Sequence, residues 1–461
     1  MKTTKKLILF IICLTIASMI VILSCKNRYT GTGPGDKGVF ETGQGEDNSG
    51  SGNNGDTGPI PLAGSGGGLV LKSGYKLPQN SLSQEEQEQD YDPDFNSVVL
   101  FANGKIPALT VTKSGVILAA AGTGESHDYI TVKRSSDMGK TWADAQATTD
   151  FGSMYTHPFF INCHDGGVLM GVATTNKTQN KTIIYKSTDN GATWTKQKEI
   201  QSSDITNANL ANSLVNFGQG ITLRHGGNSS SQKLMFPYFY YRIDDKVLKN
   251  QKRHTAIMCS TDDGANFSSV CTNFILGKTD FKIINTIGDF TTYEPKLLEL
   301  ANGDVLLAMF NDGGKTYWVK STDCGAKWTF GDINDGVGGK RLDLVRYEFN
   351  GKPIKNKGTD NGDKYALMIY STASGNYGIK MSTNDFNSGA NGTKYHVEKD
   401  LVLEGAKSDG YPAITTLPDG TIATLTDENN GVVFRRFNLY WLSDGLRYID
   451  YSTDLKENFN N

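Results

Sequence analysis

The sequence predicts an all-β chain built from repeated blades, a β-propeller, and three observations carry that prediction. An eight-residue turn motif recurs along the chain. A short run of β-branched and aromatic residues precedes each copy. Stretches with a helical period are almost absent. At 461 residues the chain would suggest two or three ordinary domains, but stacked repeats form one long body and break that expectation.

The first 25 residues read as a targeting segment, excluded from the fold. Lys2, Lys5 and Lys6 make a basic start, and Leu7 to Leu23 is apolar except for Thr15 and Ser18. Ile22-Leu23-Ser24-Cys25 then resembles a bacterial lipobox, in which the cysteine becomes the lipidated first residue of the mature protein. The alternative is an uncleaved membrane anchor, because 17 residues lie at the lower edge for spanning. On either reading the rest of the chain is expected to be exported, anchored at the cell envelope or surface. Residues 26–90 are rich in Gly, Ser, Asn and Asp and read as a flexible tether, with too little apolar surface to offset ordering entropy. Leu69-Val70-Leu71 is a possible short strand, and the run from Glu85 to Asp90 reads as solvated. The propeller is expected over 91–446, with a C-terminal tail over 447–461.

Across that body the motif is Ser-x-Asp-x-Gly-x-Thr-Trp. It reads Ser135-Ser136-Asp137-Met138-Gly139-Lys140-Thr141-Trp142 and returns as Ser187-Thr188-Asp189-Asn190-Gly191-Ala192-Thr193-Trp194. The third copy runs from Ser260 to Phe267, the fourth from Ser321 to Trp328, and a degenerate fifth begins at Ser382. The starts lie 52, 73, 61 and 61 residues apart. The pattern is that of a hairpin turn. Asp accepts backbone N–H groups, Gly takes a left-handed conformation, and Ser and the aromatic ring are expected to pin the turn to neighbouring strands. Strand-rich units repeated at this length are the signature of propeller blades.

The net charge of −3 gives no reason to expect nucleic acid as a partner. No cofactor is expected, and no cysteine spacing looks like a zinc site. Cys163, Cys259, Cys271 and Cys324 lie outside the signal. Cys259 and Cys271 flank one repeat turn, and both a pair and free thiols stay open.

The boxes are the Asp boxes of the sialidase family, and the resemblance covers nearly all of residues 94–442. Lys105-Ile106-Pro107-Ala108-Leu109 stands where sialidases carry Arg-Ile-Pro-Ala-Leu. Tyr293-Glu294-Pro295 looks like the family's Glu-Pro segment, and Gly410-Tyr411-Pro412-Ala413 like its Tyr-Ser segment. The resemblance implies a six-bladed propeller with Asp-box repeats and exo-α-sialidase activity on sialylated glycoproteins or glycolipids of a host. It implies Tyr411 as nucleophile, Glu294 as its base, and an acid/base residue on the loop before the first box. Asp128 is the choice there, with Glu125 its rival. The chemistry makes sense of a tyrosine. Sialic acid carries a carboxylate on its anomeric carbon, so a carboxylate nucleophile would be repelled. A neutral phenol is not, but with a pKa near ~10 it needs a base.

The sequence departs from the family at the substrate carboxylate. Three arginines clamp it in sialidases. The first position is Lys105 here, the second holds Phe310, and the third, before the fifth box, reads Ser374-Gly375-Asn376-Tyr377. Lys105 can pair with a carboxylate as a point charge. Arg224, Arg242, Arg341 and Arg346 are further cations that no motif places, with Arg242 and Tyr240 the chosen substrate-binding candidates. Tyr238 and Tyr241 are open to the same reading or to packing. Two other functions remain open: a same-fold retaining glycosidase for another sugar, and a non-catalytic carbohydrate-binding surface protein.

Overall fold

The computed structural model describes residues 87, 97–145, 154–174, 181–201, 219–225, 233–241, 253–267, 292–311, 316–326, 328–330, 339–357, 364–372, 375–386, 397–401 and 410–450. All belong to the compact unit running from Thr57 to Asn461. The described strands form six antiparallel blades, as expected for a propeller. Blade one is Lys105–Val111, Ile117–Thr123, Tyr129–Ser135 and Ala143–Asp144. Blade two is Tyr155–Asn162, Val168–Thr174, Lys181–Ser187 and Thr195–Gln201. Blade three shows Ile221–Thr222, Leu234–Tyr241 and Arg253–Ser260. Blade four is Thr292–Glu299, Val305–Asn311, Thr316–Ser321 and Thr329–Phe330, and blade five is Gly339–Arg346, Ala366–Thr372, Tyr377–Ser382 and Val397–Leu401. In each, the first strand is innermost, and consecutive strands pair as hairpins.

Blade six closes the ring. Its three C-terminal strands, Pro412–Thr416, Ile422–Glu428 and Gly431–Phe437, take Ser97–Ala102 from the other end of the body as their outermost strand. Joining the two ends of a ring in one sheet locks first and last blades together, the structural reason a propeller holds its circle. The core is a series of layers between blades. Phe160, Trp194 and Leu118 fill the layer between blades one and two. Phe159, Phe236 and Tyr238 fill the next, which settles Tyr238 as packing. Met235 and Trp328 pack between blades three and four, and Trp318 and Phe386 between four and five.

The Asp boxes perform the turn the motif demands. Ser135 Oγ donates to Asp137 and accepts the Gly139 N–H, both at 2.8 Å. Asp137 accepts the Thr141 N–H at 2.9 Å and also its hydroxyl, while Trp142 donates its indole N–H to the Gly139 carbonyl at 3.0 Å. The serine therefore binds within its own box, and contact with the next blade falls to the glycine and the ring. A Cβ on Gly191 would lie 2.5 Å from Leu118 of blade one, and one on Gly264 would lie 2.3 Å from Leu169 of blade two. In the degenerate fifth box Phe386 occupies the glycine position, still at φ 53, and stacks on Trp318 of blade four.

Described contacts also lie on both sides of 91–446. Gln87 is buried, donates to the Ile449 carbonyl and accepts the Ile449 N–H, both at 3.0 Å. Tyr448–Ile449 pairs with Asn356–Lys357. Cys259 is disulfide-bonded, Cys163 and Cys324 are free thiols, and Cys271 lies outside the described residues.

Candidate active site

The inner strands of three blades enter the axis through one local device. At Ile106-Pro107, His157-Pro158 and Glu294-Pro295 the inner strand carries one residue more than its partner. Register passes from Lys105–Gly122 to Ala108–Ala120, from Thr156–Ala173 to Phe159–Gly171, and from Tyr293–Phe310 to Lys296–Ala308. The first residue of each bulge is left-handed, with φ of 55°, 54° and 50°. Proline donates no ladder hydrogen bond, so it is tolerated at a bulge, and the bulge re-aims the residue before it. A left-handed isoleucine is strained by its branched Cβ and persists only where the surroundings fix it. Blade five has a comparable shift between Gly339 and Leu342, which carries Arg341. Blade six starts at Tyr411-Pro412, where the Asp427 N–H donates to the Tyr411 carbonyl at 3.0 Å.

All six blades meet around one small cavity of about 20 Å³ on the axis. Its wall takes Ile106, His157, Gln219, Lys296, Asp343 and Tyr411, one from each blade in order. A space this size holds about one water. Arg341 joins the expected catalytic pair. Its guanidinium bonds the buried Glu294 carboxylate and lies over the Tyr411 ring, 3.8 Å from the centroid. The His157 ring meets Tyr411 edge-on at 6.1 Å. Beneath them Lys296 and Asp343 form a buried ion pair at 3.7 Å, and Asp343 accepts the Ile414 N–H at 3.0 Å. That ties the inner strands of blades four, five and six together just behind Glu294, Arg341 and Tyr411.

Burial governs the charges. It pushes His157 down to about 3, helped by the Arg341 and Lys296 cations, so the imidazole is neutral. Burial also draws Lys296 down and Asp343 up, each toward its neutral form, against their mutual attraction.

The expected residues fall as follows. Tyr411 and Glu294 are brought together on Arg341. Lys105 heads the inner strand of blade one, half-buried beside Ile106. Asp128 lies in the turn between the second and third strands of the same blade, half-buried, its carbonyl accepting the Tyr155 N–H at 2.9 Å. Lys105 pairs with Gly122 and Gly122 with Ile130, which places Lys105 and Asp128 on one rim. Glu125 in that turn is exposed. At the family's third arginine position Tyr377 is buried and donates its hydroxyl to the Asp427 carbonyl at 2.7 Å, bracing the backbone that holds Tyr411. Tyr240 is placed by its backbone, opposite His254, and its side chain lies outside the described residues, as do Arg242 and Cys25.

Three pocket residues, His157, Lys296 and Asp343, escaped sequence reasoning, and Arg341 was only one of four unplaced cations. A signal existed. Pro107, Pro158, Pro295 and Pro412 are each followed eight residues later by a glycine, Gly115, Gly166, Gly303 and Gly420. Those glycines are left-handed turn residues, with φ from 83° to 88°. The residue before each proline is Ile106, His157, Glu294 or Tyr411.

Residues 85–277 match the BNR repeat-like domain. The sialidase of Micromonospora viridifaciens is 24% identical over 387 residues, which cover 74% of this chain and 52% of that protein. The chain thus spans about half the length of this relative. Among solved structures, the Hadza microbial sialidase Hz136 superposes with a TM-score of 0.54 at 18% identity, over 74% of this chain and 66% of that one. The α-L-arabinofuranosidase Arb93A of Fusarium graminearum does so at 0.51 and 14% identity, over 75% and 98%. Residues 85–277 thus carry a BNR repeat-like domain, and the body folds as a six-bladed propeller similar to that of sialidases.

Proposed function

We propose that this protein is a retaining exo-α-sialidase, held outside the cell by a lipid on Cys25 and acting on sialylated glycoproteins or glycolipids. The observation that carries this reading is the meeting of Tyr411 and Glu294 on one arginine. Tyr411 attacks the anomeric carbon as the glycosidic bond breaks. Glu294 takes the phenolic proton, and Asp128 gives its proton to the leaving oxygen. In the second half, Asp128 takes a proton from water as the water oxygen bonds the anomeric carbon. The tyrosyl bond breaks, and Glu294 returns its proton to the phenolate.

Arg341 gives this scheme a switch. Its guanidinium Nη1 bonds Glu294. A substrate carboxylate competes for the same fork, and Glu294 is then free to accept the phenolic proton. Lys105 supplies a second cation on the rim. Neutral His157 buttresses the phenol ring without adding charge.

A second reading rests on the missing family arginines and on the fold shared with an arabinofuranosidase. In it the same pair cleaves a neutral sugar and Arg341 stays on Glu294. Fluorogenic α-sialosides and α-L-arabinofuranosides, offered to the mature chain, separate the two. Release from the sialoside is expected. Release from the arabinofuranoside alone would favour the second reading, and binding without turnover a carbohydrate-binding protein. For the anchor, Cys25→Ser should abolish labelling by a fatty-acid precursor.

A further inference from the structure

The axis has a second cavity, at the end away from the catalytic groups. It holds about 160 Å³, and Gln219 lines both cavities, so the two lie back to back. Its wall takes the far ends of the inner strands, Thr110, Asn162, Thr222, Glu299, Arg346 and Thr416. Among the described residues four charged side chains line it, and three of them are committed. Glu299 accepts the backbone N–H groups of Arg224 and His225, at 2.7 and 2.9 Å. Glu348 accepts from Arg346 Nε at 2.9 Å and lies 3.0 Å from His225 Nε2. Arg346 also bonds Asp385. The fourth is Arg224.

Arg224 is half-buried, and its stem lies over Gly351, where a Cβ would come within 2.9 Å of the arginine Cδ. Gly351 is left-handed, with φ 81°, so the turn and the stem both require a glycine there. The head of Arg224 makes no hydrogen bond or ion pair to any described residue. The nearby Asp263 is also committed, accepting the His164 and Asp165 N–H groups at 2.9 and 3.1 Å. Burial draws the Arg224 pKa down against the pull of Glu348, Glu299 and Asp263, yet a guanidinium stays protonated. A largely desolvated guanidinium whose donors meet no acceptor among the described residues, facing a cavity with room for a small organic ion, is arranged to receive an oxyanion in its fork.

We propose that this far cavity binds a small oxyanion, a carboxylate or a phosphate, on Arg224. The site is separate from the catalytic pocket and does not depend on what that pocket cleaves. The three carboxylates around it keep the affinity modest and favour anions of low charge, while Gln219 stands between the anion and the catalytic arginine.

The test is thermal unfolding of the full mature chain against sodium phosphate and, separately, sodium acetate, at constant ionic strength. Stabilisation half-complete at about 1 to 10 mM is expected with at least one of them. Tighter binding of phosphate or of acetate distinguishes the two sources. Arg224→Gln should weaken that binding at least tenfold, Arg224→Lys less, and Lys105→Met and Arg341→Met should leave it unchanged. Binding lost with Arg341→Met but kept in Arg224→Gln would place the anion in the catalytic pocket and overturn the proposal. So would no stabilisation by either salt. Should Arg224→Gln fail to fold, a wild-type crystal soaked in sodium bromoacetate decides: an anomalous bromine peak beside Arg224 supports the site, and its absence overturns it.

Discussion

The Asp boxes and the axial bulges are both repeated backbone devices, and the propeller uses them in opposite ways. In four boxes the side chains repeat with the backbone: serine to aspartate at 2.8, 2.8, 2.8 and 2.9 Å. In the bulges the backbone repeats and the side chains do not, because Ile106, His157 and Glu294 share one φ and no chemistry. Box side chains act on their own turn, so each blade needs the same ones. Bulge side chains face a common axis, where the six wall positions all differ.

This contrast makes separable predictions. An axial change should remove activity and spare the fold. Tyr411→Phe deletes one hydroxyl and keeps the ring under Arg341, so kcat should fall by about three orders of magnitude or more, roughly 4 kcal/mol, with Tm nearly unchanged. Glu294→Gln acts on the same step, so the double variant should be little worse than either single one. Losses that add would instead mean two independent contacts. Next in size, Arg341→Met should lower kcat/KM for a sialoside by about 3 kcal/mol. Lys105→Met should lower it by about 1 kcal/mol, and Lys105→Arg by less, because Lys105 is half-exposed on the rim. Equal effects of the Arg341 and Lys105 changes would remove Arg341 from its central place.

A box change should do the reverse. Gly264→Ala meets both a left-handed backbone and Leu169, so about 2 kcal/mol of stability should go, while kcat of the folded fraction holds. Denaturant titration beside active-site counting would expose any leak between the two. His157 crosses the divide, as an axial residue whose burial bears on stability. Its folded pKa of about 3 lies below the ordinary value near 6.5, so the unfolded chain binds more protons between these values. Stability is then lost as pH falls from about 6.5 toward 3, at roughly 1.4 kcal/mol per pH unit from this group. His157→Gln should flatten that acid limb.

The smallest effect belongs to His225. Burial disfavours its cation, but the Glu348 hydrogen bond and charge outweigh that and raise its pKa. Its contribution is therefore full below about 6.5 and fades as pH rises through the higher folded value. His225→Gln should cost about 1 to 2 °C in Tm at pH 5.5 and less at pH 8.5.

The repeat, and with it the fold, can be read along the chain. Each box is a local contract between residues no more than seven apart, Ser135 through Trp142 for example, so periodicity along the chain exposes it. The family resemblance pointed to Tyr411 and Glu294, and both contact Arg341 in the structure. Only the tertiary structure decided what stands around them. Arg341 is 47 residues from Glu294 and 70 from Tyr411, and Asp343 lies 47 from Lys296. None of those separations carries a local signal, because the partners sit on different blades and meet only when the ring closes. Closure itself depends on Ser97–Ala102 finding Gly431–Phe437, more than 300 residues away. Local hydrogen bonding writes a turn into consecutive residues, whereas an axis shared by six blades is written only in their circular arrangement.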